Sequence, residues 1–278
     1  MKFSFRQFHT IVTIRFELNV VVYSVAKIRS KNTPFEDYMQ QTSAQDEAKR
    51  AAAAQAIASF LKDGMTIGLG SGTTSRWFVR ILGERVAQGL RVTGVPSSKS
   101  TGQLATEVGV PLADLNDVGQ LDLTIDGADE IDSKGRMIKG GGANLLWEKI
   151  VACASNKMVC IVDESKLVEF LGRFPLPIEV IPFAWRSTER HLRKLFKESG
   201  LGEPKIEMRG GLEKPLITDS GHYLLDCHLE KLLDPESLAL KLNQIPGVVE
   251  HGLFIGIATD AVAGHANGRT EVLTFQVG

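Results

Sequence analysis

Between residues 43 and 162, short and almost uninterrupted apolar runs alternate with segments of helical character. The runs occupy residues 65–70, 91–95, 121–125 and 158–162; the helical segments occupy 43 to about 62, about 75 to 88, 101–108 and 144–154. A strand that is apolar along its whole length has to be covered on both faces, and helices crossing between successive parallel strands do this. The pattern therefore predicts an α/β fold, a parallel sheet with helices on both faces. The first helix is expected to open at Ser43, a hydroxyl followed three residues later by Asp46, and to stop at Gly64.

The pattern changes near Gly172. Three prolines (Pro175, Pro177, Pro182) fall within nine residues, a poor central strand but a plausible crossing between domains. Beyond it, a helix at 188–199, short strands at 205–209, 216–219 and 223–228, a helix at 235–244 and a strand at 253–258 suggest a smaller α+β, ferredoxin-like domain. Residues 271–277 read as a strand returning to the main sheet. The expected domains are 43–171 with 253–278 as the α/β unit and 172–252 as the smaller α+β unit. Residues 1–42 are expected to lie outside the fold. Their first 31 carry six lysines and arginines against the single acid Glu17, and their apolar run at 20–26 is too short to span a bilayer. Such a segment reads either as an organellar leader or as a start placed upstream of Met39.

At 278 residues and a formal net charge of -1, the chain has room for a large core and lacks the basic face that nucleic acid requires. Neither nucleic acid nor a membrane is expected as a partner. Cys153, Cys160 and Cys227 sit among apolar neighbours without paired spacing, so they are expected to be small core residues of a reducing, cytoplasmic protein. The six histidines show no metal-ligand spacing beside the acids, and no metal is expected.

The chemistry concentrates between Asp126 and Glu148. An apolar run ends in Asp126-Gly127-Ala128-Asp129-Glu130, Lys139 leads a triple glycine, Gly140 to Gly142, and the helix that follows carries Glu148. Buried acids and helix-opening glycines are unfavourable unless they are used. A base, an acid and a cation meeting a small anionic substrate would use them. A second signal is the loop Ser71-Gly72-Thr73-Thr74 between a strand and a helix. Glycine lets the backbone approach a ligand, and the N–H groups of a helix start bind phosphate. Neither dinucleotide nor Walker spacing is present, so a single sugar phosphate fits this loop better than a nucleotide.

These motifs, together with Glu148-Lys149-Ile150, Asp163-Glu164-Ser165-Lys166, Phe174-Pro175-Leu176-Pro177 and Ile245-Pro246-Gly247-Val248-Val249, occur in an order that resembles ribose-5-phosphate isomerase of the A type over residues 44 to 278. The resemblance implies a cofactor-free aldose–ketose isomerase of the pentose phosphate pathway, with a Rossmann-like α/β domain and a ferredoxin-like lid (172–252), assembled as a homodimer or homotetramer. Carried over by position, Glu148 is the expected base, with Asp126, Asp129 and Lys139 at the sugar end. Asp126 is expected to shuttle hydroxyl protons and Asp129 to orient Lys139 or a sugar hydroxyl. Ser71, Gly72, Thr73, Thr74, Gly127, Ala128, Gly140, Gly141, Gly142, Lys166 and Lys49 form the expected binding set. Trp147 and Asn144 depart from the family pattern beside the site. Two rivals are a non-catalytic sugar-phosphate sensor and an acyl-CoA transferase with a glutamate nucleophile.

Overall fold

The computed structural model describes the backbone of residues 34–276 and the side chains of residues 44–276; the readings of residues 1–33 lie outside the described residues. Helix α1 (Pro34–Phe60) starts nine residues before the expected cap at Ser43. No glycine or proline interrupts residues 35–60, and Pro34 stands at the first helical position, where its missing N–H costs nothing.

The alternation then runs β1 (Thr66–Leu69), α2 (Thr73–Ala87), β2 (Thr93–Pro96), α3 (Lys99–Glu107), α4 (Leu115–Val118) and β3 (Leu123–Asp126). Three short strands follow, β4 (Glu130–Asp132) and β5 (Met137–Ile138) before α5 (Leu145–Cys153) and β6 (Met158–Asp163), then β7 (Leu167–Val168). Next come β8 (Leu176–Val180), α6 (Trp185–Glu198), β9 (Ile206–Met208), β10 (Tyr223–Cys227), α7 (Pro235–Leu242) and β11 (Val248–His251). The chain closes with β12 (Leu253–Phe254), β13 (Asp260–Gly264) and β14 (Thr270–Thr274).

The main sheet has six strands in the order β14-β13-β6-β3-β1-β2, parallel except for the antiparallel edge strand β14. Along β6 the side chains divide between two cores. Val159 and Ile161 join Phe78, Leu82 and the α1 alanines on one face, while Met158, Cys160 and Val162 join Leu145 and Phe254 on the other. This is the two-sided burial that the apolar runs call for. The strand order reverses at β1, with β2 on one side and β3 on the other, and ligands of open α/β sheets bind beyond the strand ends at such a point.

The second sheet, β11-β8-β10-β9, is antiparallel throughout and built as β8-α6-β9-β10-α7-β11, a ferredoxin-like arrangement. Three expectations change here. First, β8 is a central strand despite Pro177. The Pro177 carbonyl accepts from the Gly252 N–H at 2.8 Å, while the Gly252 carbonyl is already taken by the Lys139 N–H at 2.9 Å, so no acceptor waits for the N–H that proline lacks. Second, residues 216–219 form no strand, because Pro215 removes a donor and Thr218 turns inward to Glu179. Third, the run 253–258 yields only β12. The strand inside the main sheet is β13, whose sequence of small residues gives a weak apolar signal.

A third sheet, β12-β5-β4-β7, joins the other two. Its β4–β5 hairpin folds residue 139 back beside residue 129, with the Asp129 N–H donating to the Ile138 carbonyl at 2.9 Å. Among the described residues, no helix is long and apolar enough to cross a membrane. Cys160 and Cys227 are buried, but Cys153, at the end of α5, is exposed rather than part of the core.

Candidate active site

Asp126 is the last residue of the fully buried strand β3. Its Oδ1 accepts from the Ser71 N–H (2.9 Å), the Ser75 hydroxyl (3.0 Å) and the Gly127 N–H (2.7 Å). Its Oδ2 lies 2.8 Å from Lys139 Nζ. That ammonium also donates to the Gly127 carbonyl at 2.5 Å and lies 3.3 Å from Glu148 Oε2. Asp126, Lys139 and Glu148 are all less than 5 % exposed. Gly70 makes the Asp126 arrangement possible, since a Cβ there would stand 2.1 Å from Asp126 Oδ1.

A buried cluster of one cation between two acids is held by charge. Burial alone would lower the Lys139 pKa, but Asp126 and Glu148 outweigh it and hold the ammonium above its usual range. Burial pushes Glu148 up to about 8; the nearby Lys139 opposes this, and the charges of Asp126 and Asp129 reinforce it. Glu148 is thus the acid of this group poised to exchange a proton near neutral pH.

Above the cluster opens a cavity of about 150 Å³ lined by Ser71 to Thr74, Gly127 to Asp129, Lys139 to Gly142, Glu148, Lys49 and Lys166. Drug-sized sites begin at about 300 Å³, so this one suits a small polar molecule. All of the sequence-predicted residues line it except Asp126, which lies beneath its wall with both oxygens engaged. Helix α2 starts beside the cavity, and its N-cap, Gly72 (φ 95°), has no side chain with which to cap the first N–H groups. Those donors, with Lys49 and Lys166 in the same lining, suit the cavity to a phosphate.

Asp129 accepts from the Gly141 N–H at 2.7 Å and so fixes the glycine loop, while the Lys139 ammonium is held by its other neighbours. Asn144 caps the Gly142 carbonyl at 2.8 Å and faces an adjoining cavity with Ser75, Arg76 and Thr101 rather than the one that holds Glu148. Trp147 donates to the Ser220 hydroxyl at 2.8 Å, docking a turn of the second sheet's unit on α5.

Sequence reasoning missed Gln45 and Asp163, which also line the cavity. It missed as well the hydroxyl cluster beneath the loop, where Ser71 Oγ meets Ser97 and Ser98 at 2.9 Å each and Thr101 at 3.1 Å. The serine pair ending β2 was the available signal. Glu130 is buried and accepts from the N–H groups of Gly172 (2.7 Å) and Phe174 (2.6 Å), anchoring the crossing to the second sheet. Among the described residues, no group of three or more His, Cys, Asp or Glu is placed to hold a metal ion.

Comparison with known proteins gives a consistent result. The profile of the family described as ribose 5-phosphate isomerase A (phosphoriboisomerase A) matches residues 93–268. Ribose-5-phosphate isomerase A 2 of Yersinia pseudotuberculosis is 53% identical over 229 residues, covering 82% of this chain and 97% of that protein. Ribose-5-phosphate isomerase A of Cereibacter sphaeroides is 53% identical over 232 residues, covering 82% and 91%. A solved structure of D-ribose-5-phosphate isomerase in complex with phospho-erythronic acid superposes with a TM-score of 0.75 at 38% identity, covering 82% of this chain and 98% of that one.

Proposed function

The chain belongs to the ribose 5-phosphate isomerase A family, and we propose that it interconverts ribose 5-phosphate and ribulose 5-phosphate with Glu148 as the base. The observation that carries this reading is the buried Asp126–Lys139–Glu148 cluster beside a cavity whose lining also brings together the start of α2, Lys49 and Lys166. The reaction moves one proton between C2 and C1 through an enediolate. A single carboxylate near one face can remove the C2 proton and return it to C1, and a group pushed up to about 8 is suited to both halves. Charge develops on the carbonyl oxygen as the enediolate forms. The Lys139 ammonium and the N–H groups of the glycine loop offer fixed positive charge there.

In this reading Asp126 holds the ammonium in place instead of shuttling hydroxyl protons, because its oxygens face Ser71, Ser75, Gly127 and Lys139. Asp129 positions the glycine loop. Ser71 to Thr74, Lys49 and Lys166 receive the phosphate. Residues 43–171 with 253–278 carry the chemistry and 172–252 act as the lid. The enzyme works as a homodimer or homotetramer, a reading supported by the exposed Phe183, Leu233 and Leu240, and in the cytoplasm, supported by its free cysteines.

The test is ribulose 5-phosphate formation from ribose 5-phosphate by purified protein treated with EDTA. Robust turnover, lost in Glu148→Gln, is expected. Substrate binding without turnover would point to a sensor, and a glutamyl thioester formed with acyl-CoA would point to a transferase.

A further inference from the structure

All three carbonyls of the glycine loop are turned toward donors. Gly142 O accepts from Asn144 Nδ2 at 2.8 Å. Gly140 O, which also accepts from the Ala143 N–H at 3.0 Å, and Gly141 O both accept from one group, Nη1 of Arg209, at 2.7 and 3.2 Å. Arg209 follows β9 in the second sheet, and its side chain is only 15% exposed. Its guanidinium is held by Asp226 of β10, with Nε 2.9 Å from Oδ2 and Nη2 bonded to Oδ1. This two-pronged grip leaves Nη1 no freedom to turn elsewhere.

A trans peptide places its carbonyl and the next N–H on opposite sides. With Gly140 O on Arg209, the Gly141 N–H points away, and it is found 2.7 Å from Asp129 Oδ2. With Gly141 O also on Arg209, the Gly142 N–H is turned away from the arginine. Gly142 lines the cavity, and its N–H meets no acceptor among the described residues. Arg209 does not line the cavity itself.

We infer that Arg209, fixed by Asp226, is a positioning residue for the isomerisation: it orients the Gly140–Gly142 peptides so that the Gly142 N–H presents to the sugar. The inference rests on reading this cavity as the isomerase site. Lysine cannot replace it fully, because one ammonium lacks the planar fork that grips Asp226 while reaching two carbonyls.

The experiment compares Arg209→Ala, Arg209→Lys and Asp226→Asn with wild type, measuring kcat and KM for ribose 5-phosphate and the thermal midpoint. Arg209→Ala is expected to lose roughly 10- to 100-fold in kcat, the scale of a displaced active-site group, with KM changed by no more than about twofold. Low-millimolar guanidinium ion should restore part of its kcat while leaving Glu148→Gln inactive. Arg209→Lys and Asp226→Asn should fall between it and wild type, and Arg209→Lys carries the test if the alanine variant does not fold. A folded Arg209→Ala with wild-type kcat would overturn the inference. So would a loss that follows a lowered thermal midpoint and is rescued neither by guanidinium nor by lysine. Wild type without turnover would instead sink the isomerase reading itself.

Discussion

The Asp126–Lys139–Glu148 cluster makes separable predictions for each of its members. Glu148 has a folded pKa of about 8 against an ordinary value of 4.5. Because the folded state holds its proton more tightly, this group makes the fold less stable as pH rises from the ordinary value toward 8. Glu148→Gln should therefore gain thermal stability relative to wild type at pH 8 and little at pH 4.5, as differential scanning calorimetry would read. Its turnover should vanish while ribose 5-phosphate, the substrate proposed above, still binds; loss of that binding would remove Glu148 from the role of base. For wild type, kcat/KM should climb with pH and level off above about 8, since the base must be ionised in the free enzyme. Asp126→Asn breaks a buried ion pair and turns an amide toward the ammonium. It should cost about 3–5 kcal/mol in urea unfolding, and a cost under about 1 kcal/mol would show that Lys139 is held without it.

Elements explain why some of this was legible in the sequence and some was not. The main sheet could be read because β6 is apolar, and β3 apolar but for Thr124, at every position before their last residues, and those last residues, Asp126 and Asp163, stand at the site. β13 could not be read, because alanine and glycine pack against neighbours without a strong apolar signature. The β4–β5 hairpin escaped notice for a different reason. Its strands have three and two residues, too short for periodicity, yet it is what returns Lys139 to Asp126. Pro177 misled because proline's missing donor matters only where an acceptor waits, and the Gly252 carbonyl serves Lys139. The residue types of the site were visible in local motifs; Arg209 was not, because its partners lie 68 and 69 residues away. Two glycines separate packing from chemistry. A Cβ at Gly70 would meet Asp126 Cα at 2.5 Å, backbone that cannot yield, so Gly70→Ala should cost about 1–3 kcal/mol or more. The nearest atoms to a Cβ at Gly141 would all belong to the Asp129 carboxylate, the first at 2.5 Å, and that side chain can rotate away. Gly141→Ala should therefore stay folded and lose activity; equal stability losses in the two variants, read by urea unfolding, would contradict this division.

At the scale of the whole molecule, contacts by which the antiparallel sheet's unit reaches the chemistry include Arg209 on the glycine loop, Ser220 under Trp147, and Glu250 with His251 under Lys149 of α5. The last is the most buried. Lys149 follows Glu148 in sequence, donates to Glu250 Oε1 at 2.6 Å and to the His251 carbonyl at 2.7 Å, and sits 4.8 Å from the centre of the Phe254 ring. Burial lowers its pKa, and Glu250 works against that shift. A base with a lowered folded pKa loses stability as pH falls from its ordinary value of 10.5 through the folded value, so at neutral pH this ammonium is held against its own desolvation. Removing Glu250 alone leaves the charge buried and uncompensated, which costs about 3–5 kcal/mol, whereas replacing the lysine by an apolar side chain of similar length removes the desolvation penalty with the charge. Glu250→Ala should then be the more destabilising single change, and Lys149→Met with Glu250→Ala should be more stable than Glu250→Ala alone. A double-mutant cycle in urea reads this directly. If the double variant is the least stable of the three, the pair contributes through packing and not through charge. If the sign is as argued, kcat in the double variant should still fall, because the helix carrying Glu148 has lost its tie to β11, which runs directly into Gly252, the acceptor of the Lys139 N–H.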